Sequence, residues 1–185
     1  MAILSRRERP CRRAGLLALA ACALFAAAAP AQEPTLEARV KAAYLFNFAK
    51  FVVWPQPVQS APARPFVIGL LGDSPVLPAL RALEGQQVHQ RPVAIRQYER
   101  AADVDCDLLF VDASQIAAFA RDGESIRRRP ILTVGETDAF LLAGGAIGLV
   151  LTNGNVRYLV RPRAAEAVGL SISSKLLKLA ERVLD

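Results

Sequence analysis

Past residue 34 the chain alternates between two rhythms of apolar spacing. Residues 36 to about 53 are apolar at almost every turn, which predicts a helix capped by Thr35 and stopped by Pro55, whose ring forces Trp54 out of helical geometry. After a proline-rich linker, PQPVQSAPARP, come short continuous apolar runs: FVIGLLG (66–72), RPVAIRQY (91–98), CDLLFVD (106–112) and PILTVG (130–135). Runs of this length without polar alternation suit strands covered on both faces. AIGLVLTNGNVRYLV holds two more, joined at residues 152–155, where the Asn-Gly pair predicts a tight hairpin. Helical stretches lie between and after these runs: DSPVLPALRAL with Ser74 as cap and Pro75 in first position, residues 114–121, TDAFLLAGG stopped by Gly144, then 162–168 and 173–184. Six strands alternating with helices predict an α/β layered sandwich, a mostly parallel sheet flanked by helices with an antiparallel hairpin at one edge.

The two terminal helices carry an excess of apolar surface. Between residues 42 and 54 only Asn47 and Lys50 are frankly polar, whereas a surface helix needs one apolar stripe. One flank is therefore expected on the protein's own sheet, with Phe46, Phe48 or Phe51 on another flank meeting a second chain or the C-terminal helix. Trp54 joins them as a candidate contact, and Asn47 is expected to be hydrogen-bonded to backbone. In the last helix Leu176, Leu177, Leu179, Ala180 and Val183 form the expected core stripe, and Ser173 and Ser174 its cap. Lys175, Lys178 and Arg182 face away as candidate partner contacts.

Charge changes this picture only at the N-terminus. Arg6, Arg7, Arg9, Arg12 and Arg13 precede the apolar run AGLLALAACALFAAAA, and APA at residues 29–31 supplies the small residues of a cleavage site. This is the layout of a secretory signal over residues 1–31, giving a mature start at Gln32 and export to the periplasm. The 16-residue run is shorter than the ~20 residues a spanning helix requires. LAAC, ending at Cys22, offers a lipoprotein-type alternative, and SRRERP only loosely resembles a twin-arginine signal. Removing the leader takes five arginines and Glu8 from totals of 23 basic and 17 acidic residues. The mature domain, 32–185, then carries 18 basic and 16 acidic residues, a net charge of +2, which withdraws the main argument for a nucleic-acid partner. RRRP at 127–130 is expected to be a solvated loop entering a strand.

Candidate chemistry is sparse. Cys106 is the one thiol left after the leader and cannot close an internal disulfide; as the entry to a buried strand it reads as a small apolar side chain. His89 is the only histidine, in a polar segment, so a two-histidine metal site cannot be assembled; a Ser-His-Asp relay would need His89 as its base, and no GxSxG elbow accompanies any serine. Asp73, Asp112 and Asp138 each follow a predicted strand, where open α/β sheets gather ligands, although aspartates there more often form turns. No catalytic residue, metal or cofactor is therefore assigned.

Several segments carry a family resemblance. VKAAYLFNFAKFVVWP, VIGLLGDSPVLPAL, CDLLFVD, ILTVGETDAF, GGAIGLV, NVRYLV and AVGLSISSKLLKLAERV occur in the order and spacing of the YfiR-like family of bacterial periplasmic proteins, which the chain resembles over nearly all of its mature length. The resemblance implies a regulator rather than an enzyme. It further implies binding to the periplasmic sensor portion of an inner-membrane diguanylate cyclase, restraint of cyclic-di-GMP production and biofilm formation, an opposing outer-membrane lipoprotein, and a homodimer. It also implies a cysteine near the position of Gly69, able to bridge to the one aligned with Cys106; that partner is missing here. RPRAAEA likewise departs from the asparagine and aliphatic residues of relatives. A periplasmic small-ligand sensor reporting to a transporter or kinase is the alternative reading.

Overall fold

In the computed structural model, residues 33–55 and 64–185 are described. The expected leader with its Gln32 start and Cys22 alternative, and most of the proline-rich linker, lie outside the described residues. Helix α1 (Leu36–Phe51) starts where Thr35 Oγ1 accepts the Ala38 amide at 3.2 Å, with Glu37 in its first turn and Lys50 in its last, each at the end its charge favours. Its buried face is Ala38, Ala42, Leu45, Phe48 and Ala49, three alanines letting the backbone approach the sheet closely. The helix ends two residues before the expected position because Val52 is extended and begins β1 (Val52–Val53).

The main sheet is built from β2 (Phe66–Leu71), β3 (Gln87–Val88), β4 (Arg91–Tyr98), β5 (Leu108–Val111), β6 (Leu132–Glu136), β7 (Ile147–Thr152), β8 (Asn155–Val160) and β10 (Arg182–Val183). Its spatial order is β10-β8-β7-β6-β5-β2-β4-β3. Strands β4, β2, β5, β6 and β7 are parallel, β7 and β8 are antiparallel, and β9 (Ser171–Ile172) pairs separately with β1. All six expected strands are present. The two additional ones in the sheet, β3 and β10, are two-residue edge pieces too short to leave a period in the sequence. At the hairpin Asn153 and Gly154 both take positive φ (50° and 74°), the pair of values a type I′ turn requires.

Helices cover both faces. Side chains of Ile68, Leu70, Phe110, Val134 and Leu149 meet α1 and the short α2 (Leu77–Arg81) on one side. Val67, Leu71, Leu109 and Val111 meet Phe119 of α3 (Ile116–Asp122) and Phe140 of α4 (Thr137–Leu142) on the other. Ser74 does not cap α2 directly: its Oγ accepts the Val76 amide at 3.4 Å in the preceding turn, and the helix starts at Leu77. The RRRP segment is less solvated than expected. Arg127 lies over the Phe119 ring at 5.3 Å and donates to the Phe119 carbonyl at 2.9 Å, a cation at the exposed carbonyl end of α3.

The C-terminal stretch corrects a second expectation. After α5 (Pro162–Glu166), Ser173 caps α6 (Ser174–Leu179), but the helix stops at Ala180 and the chain becomes β10. Backbone groups of β8 win the competition: Glu181 N–H donates to Tyr158 at 2.9 Å and Leu184 N–H to Val160 at 2.7 Å. Tertiary pairing overrides a helical pattern worth only tenths of a kcal/mol per residue. Of the stripe expected to be core, Leu176 is buried, whereas Leu179 and Val183 are exposed.

A buried ion pair closes the end of the sheet where its parallel strands begin. Arg91 and Asp107 are each 3% exposed, with Arg91 Nη2 to Asp107 Oδ2 at 2.9 Å and Nη1 to Oδ1 at 3.4 Å. Arg91 also donates to the carbonyls of Arg64 (2.9 Å) and Pro65 (2.7 Å), and Asp107 Oδ2 accepts the Val67 amide at 2.8 Å. Trp54 reaches the same corner, its Nε1 donating to the Asp107 carbonyl at 3.4 Å and its ring edge-on to Phe66 at 5.2 Å. His89 flanks this corner, its ring edge-on to Trp54 at 5.9 Å and its Nε2 donating to the Ala49 carbonyl of α1 at 3.0 Å.

Candidate functional site

Two surface features gather the residues singled out in the sequence. The first is a furrow along α1. Leu36, Val40, Tyr44, Asn47 and Phe51 recur at spacings of four, four, three and four, so they form one line down the helix, distinct from the face on the sheet. Opposite stand Leu151 and Val156 of the hairpin, Arg157 and Tyr158 of β8, and Lys175, Leu176 and Leu179 of α6. Two adjoining cavities of about 500 and 450 Å³ share Tyr44 and Arg157.

The furrow floor is aromatic. Tyr158 sits edge-on to Tyr44 (5.3 Å) and Phe48 (5.0 Å), and Tyr44 stacks on Phe48 at 5.8 Å. Both hydroxyls are anchored, Tyr158 to the Leu176 carbonyl at 2.8 Å and Tyr44 to that of Val156 at 3.3 Å. Burial, with a contribution from Tyr44, raises the Tyr158 pKa, so its hydroxyl stays a donor at neutral pH. Lys175 Nζ lies 4.6 Å from the Phe51 ring centre. Neither Lys175 nor Arg157 has a carboxylate partner among the described residues.

The expected contact residues divide. Phe51 and Lys175 line the furrow, and Phe48 supplies its floor. Phe48 and Trp54, however, are 0% and 2% exposed and belong to the domain's own core, so they present nothing to a second chain. Phe46 is half-buried under Lys50, whose Nζ is 4.1 Å from the ring centre. Lys178 is exposed without lining the furrow, and Arg182 sits in β10 beside Arg161 and Leu142. Asn47 is exposed rather than held by backbone. Tyr44, Arg157 and Leu151 were missed; the second stripe was readable in the spacing of Leu36, Val40 and Tyr44, but the adjacent phenylalanines masked it.

The second feature lies where the parallel strands end. The connection from β2 to β4 runs one way and that from β4 to β5 the other, so β2 and β5 flank the reversal point, the usual ligand crevice of open α/β sheets. A cavity of about 310 Å³ there is lined by Ser74, Asp112, Glu136 and, from α1, Thr35, Glu37 and Lys41. Of the three expected aspartates, Asp112 lines it, with Oδ1 accepting the Ser114 amide at 2.9 Å. Asp138 lines a neighbouring cavity of about 420 Å³, and Asp73 lines neither. Thr137, between the two, holds φ at +71°, uncommon for a β-branched residue. Among the described residues no group of three His, Cys, Asp or Glu converges as metal ligands would.

Lys41 ties this crevice to α1, its Nζ 2.5 Å from Glu37 Oε1 and 2.6 Å from Glu136 Oε1. Burial alone lowers the Lys41 pKa, but the hydrogen bonds and charges of Glu136 and Glu37 outweigh it, and the net value is raised above 10.5. A raised lysine pKa stabilises below the unfolded value and loses that contribution as pH rises through the folded one. The stability difference between wild type and Lys41→Met is therefore expected to stay constant from about pH 6 to 9 and to shrink above about 10.5 in urea titrations. A difference already vanishing near pH 8 would show that the bridge contributes nothing.

Cys106 is buried, and burial first, then the Asp107 charge, pushes its thiol pKa up, so it stays protonated and unreactive. It faces Gly69: a Cβ placed there would lie 2.9 Å from Cys106 Sγ. The residues whose side chains the family resemblance pairs are thus neighbours here.

Comparison with known proteins adds a fold and a family. No curated protein matches the sequence. A structure described as the ABC domain in complex with L-Trp from Streptococcus pneumonia superposes with a TM-score of 0.50 at 11% identity, over 77% of this chain and 60% of that one. A conserved domain protein from Vibrio cholerae O1 biovar El Tor gives 0.47 at 12% identity, over 69% and 60%. The chain thus spans about 60% of the length of each, and the first likeness speaks to fold alone. The model of the YfiR/HmsC-like family matches residues 38–181, from the first buried turn of α1 to the residue before β10, and the chain belongs to that family.

Proposed function

We propose that this protein is a periplasmic negative regulator of an inner-membrane diguanylate cyclase, acting by binding the cyclase's periplasmic sensor domain. The family match over residues 38–181 carries this reading. The domain supports it by what it offers a partner, an aromatic furrow with two cations, Arg157 and Lys175, that have no carboxylate partner among the described residues, while its buried thiol stays protonated. Regulation of this kind is thermodynamic. The protein shifts the cyclase toward its inactive arrangement only by binding that arrangement more tightly, and about 100-fold preference corresponds to about 2.7 kcal/mol. The same reading includes export through a cleaved leader, a homodimer, and an outer-membrane lipoprotein that relieves repression. No helix among the described residues is long and apolar enough to cross a membrane.

Deleting the gene is expected to raise cellular cyclic-di-GMP and biofilm mass, and plasmid-borne wild type to restore both. An unchanged level in cells shown to make the protein would sink the reading. A small-molecule sensor is the second reading, favoured by the crevice at the strand reversal point.

A further inference from the structure

An apolar helix face left open on a small domain requires an occupant or a reason to stay wet. Leu36 is 77% exposed and Leu151 58%, at one mouth of the furrow; Leu179, at the other, is 65% exposed. The line from Leu36 to Phe51 spans about 22 Å at the α-helical rise of 1.5 Å per residue. That is a trough, and a compact small molecule would touch only part of it.

We propose that this furrow is the docking surface for an amphipathic helical segment of the regulated membrane protein, one that presents an apolar ridge flanked by carboxylates. The inference rests on the reading of the preceding section and specifies its contact. Three observations on the chain select this occupant. The i, i+4 run of Leu36, Val40 and Tyr44 is a ridge of the kind into which a second helix packs its own. An added strand is disfavoured because the Val156 carbonyl, on the open edge of β8, already accepts from Tyr44. Charge decides the flanks: Arg157 and Lys175 lie on one wall, and the only carboxylate lining the furrow among the described residues, Glu37, is held by Lys41. A second copy docking in the same furrow about a two-fold axis would bring two sets of these cations into one interface with no free carboxylate lining it among the described residues, which costs affinity.

The test places a photo-crosslinking p-benzoylphenylalanine at Asn47, exposed in the furrow, in the full-length chain produced and exported by its own host. The same probe at Ala117, exposed on α3 across the sheet, is the control. Irradiated cells are expected to give an Asn47 adduct whose sequenced peptide lies in the periplasmic part of a membrane cyclase and reads as an acidic amphipathic helix. Arg157→Glu with Lys175→Glu, both exposed and checked for an unchanged Tm, should lower adduct yield at least tenfold; Arg157→Lys with Lys175→Arg should retain it. An adduct to a second copy of the chain, equal yield after charge reversal, or an equal adduct from Ala117 overturns the proposal. Co-purification of wild type with a cyclase and no Asn47 adduct removes the furrow alone, whereas no co-purification with any cyclase removes the underlying reading with it.

Discussion

Asp107→Ala is expected to lower unfolding stability by about 3–5 kcal/mol, the usual loss when one member of a buried ion pair is removed, and Arg91→Met by a similar amount. Against a total of about 5–15 kcal/mol for a domain, either change brings the fold close to its limit. The cost has two parts. Without Asp107, the Arg91 guanidinium keeps its bonds to the Arg64 and Pro65 carbonyls but loses its counter-charge at 3% exposure. The Val67 amide, bonded to Asp107 Oδ2, is also left without that acceptor. Replacing both residues, as Arg91→Met with Asp107→Leu, should cost less than the two single losses added, since no lone charge remains buried. Urea melts of the three variants measure this directly. If Asp107→Ala loses less than about 1 kcal/mol, the pair is not holding this corner of the sheet.

Gly69→Cys is expected to form a disulfide with Cys106 and to stabilise the oxidised protein by up to about 4 kcal/mol, the chain-entropy value for a closed loop of about 37 residues. The geometry is close to that of a bridge. A Cβ at residue 69 lies 2.9 Å from Cys106 Sγ and 3.2 Å from its Cβ. A bond of about 2.04 Å between sulfurs sets the first distance near 3 Å, and the second needs only a few tenths of an ångström of opening. The Tyr98 ring, whose Cε2 is 2.8 Å from the same point, must give way a little. Thiol titration under denaturing conditions should find no free thiol in the oxidised mature variant, and the gain in Tm should vanish with reductant. Two free thiols after oxidation would show that β2 and the segment entering β5 do not present these positions to each other. The pair lies inside the sheet's second core, among Val67, Leu109 and Phe119, so reductants would reach it slowly.

The parts of the fold legible in the sequence were those that repeat a local signal. Continuous apolar runs gave all six long strands, Thr35 marked the start of α1, and the Asn-Gly pair marked the hairpin turn. What stayed hidden depends on partners distant in the chain. Arg91 and Asp107, 16 residues apart, each look like surface residues until β4 and β5 bring them to the same end of the sheet. Residues 181–184 keep a helical pattern, and only the open edge of β8 explains why they leave the helix. In the candidate site, Phe51 and Lys175 were accessible to reasoning from amphipathicity. Arg157 was not, because an exposed arginine in a strand carries no mark of the helix it will face.

Strand β10 also bears on how this protein should be handled in the laboratory. Only Arg182 and Val183 pair with Leu159 and Val160, so the rim of the sheet is sealed by a clasp two residues wide. A protease nick ahead of it, or a bulky purification tag that pulls it away, would uncover backbone donors and acceptors beside apolar side chains, the usual template for strand-to-strand aggregation.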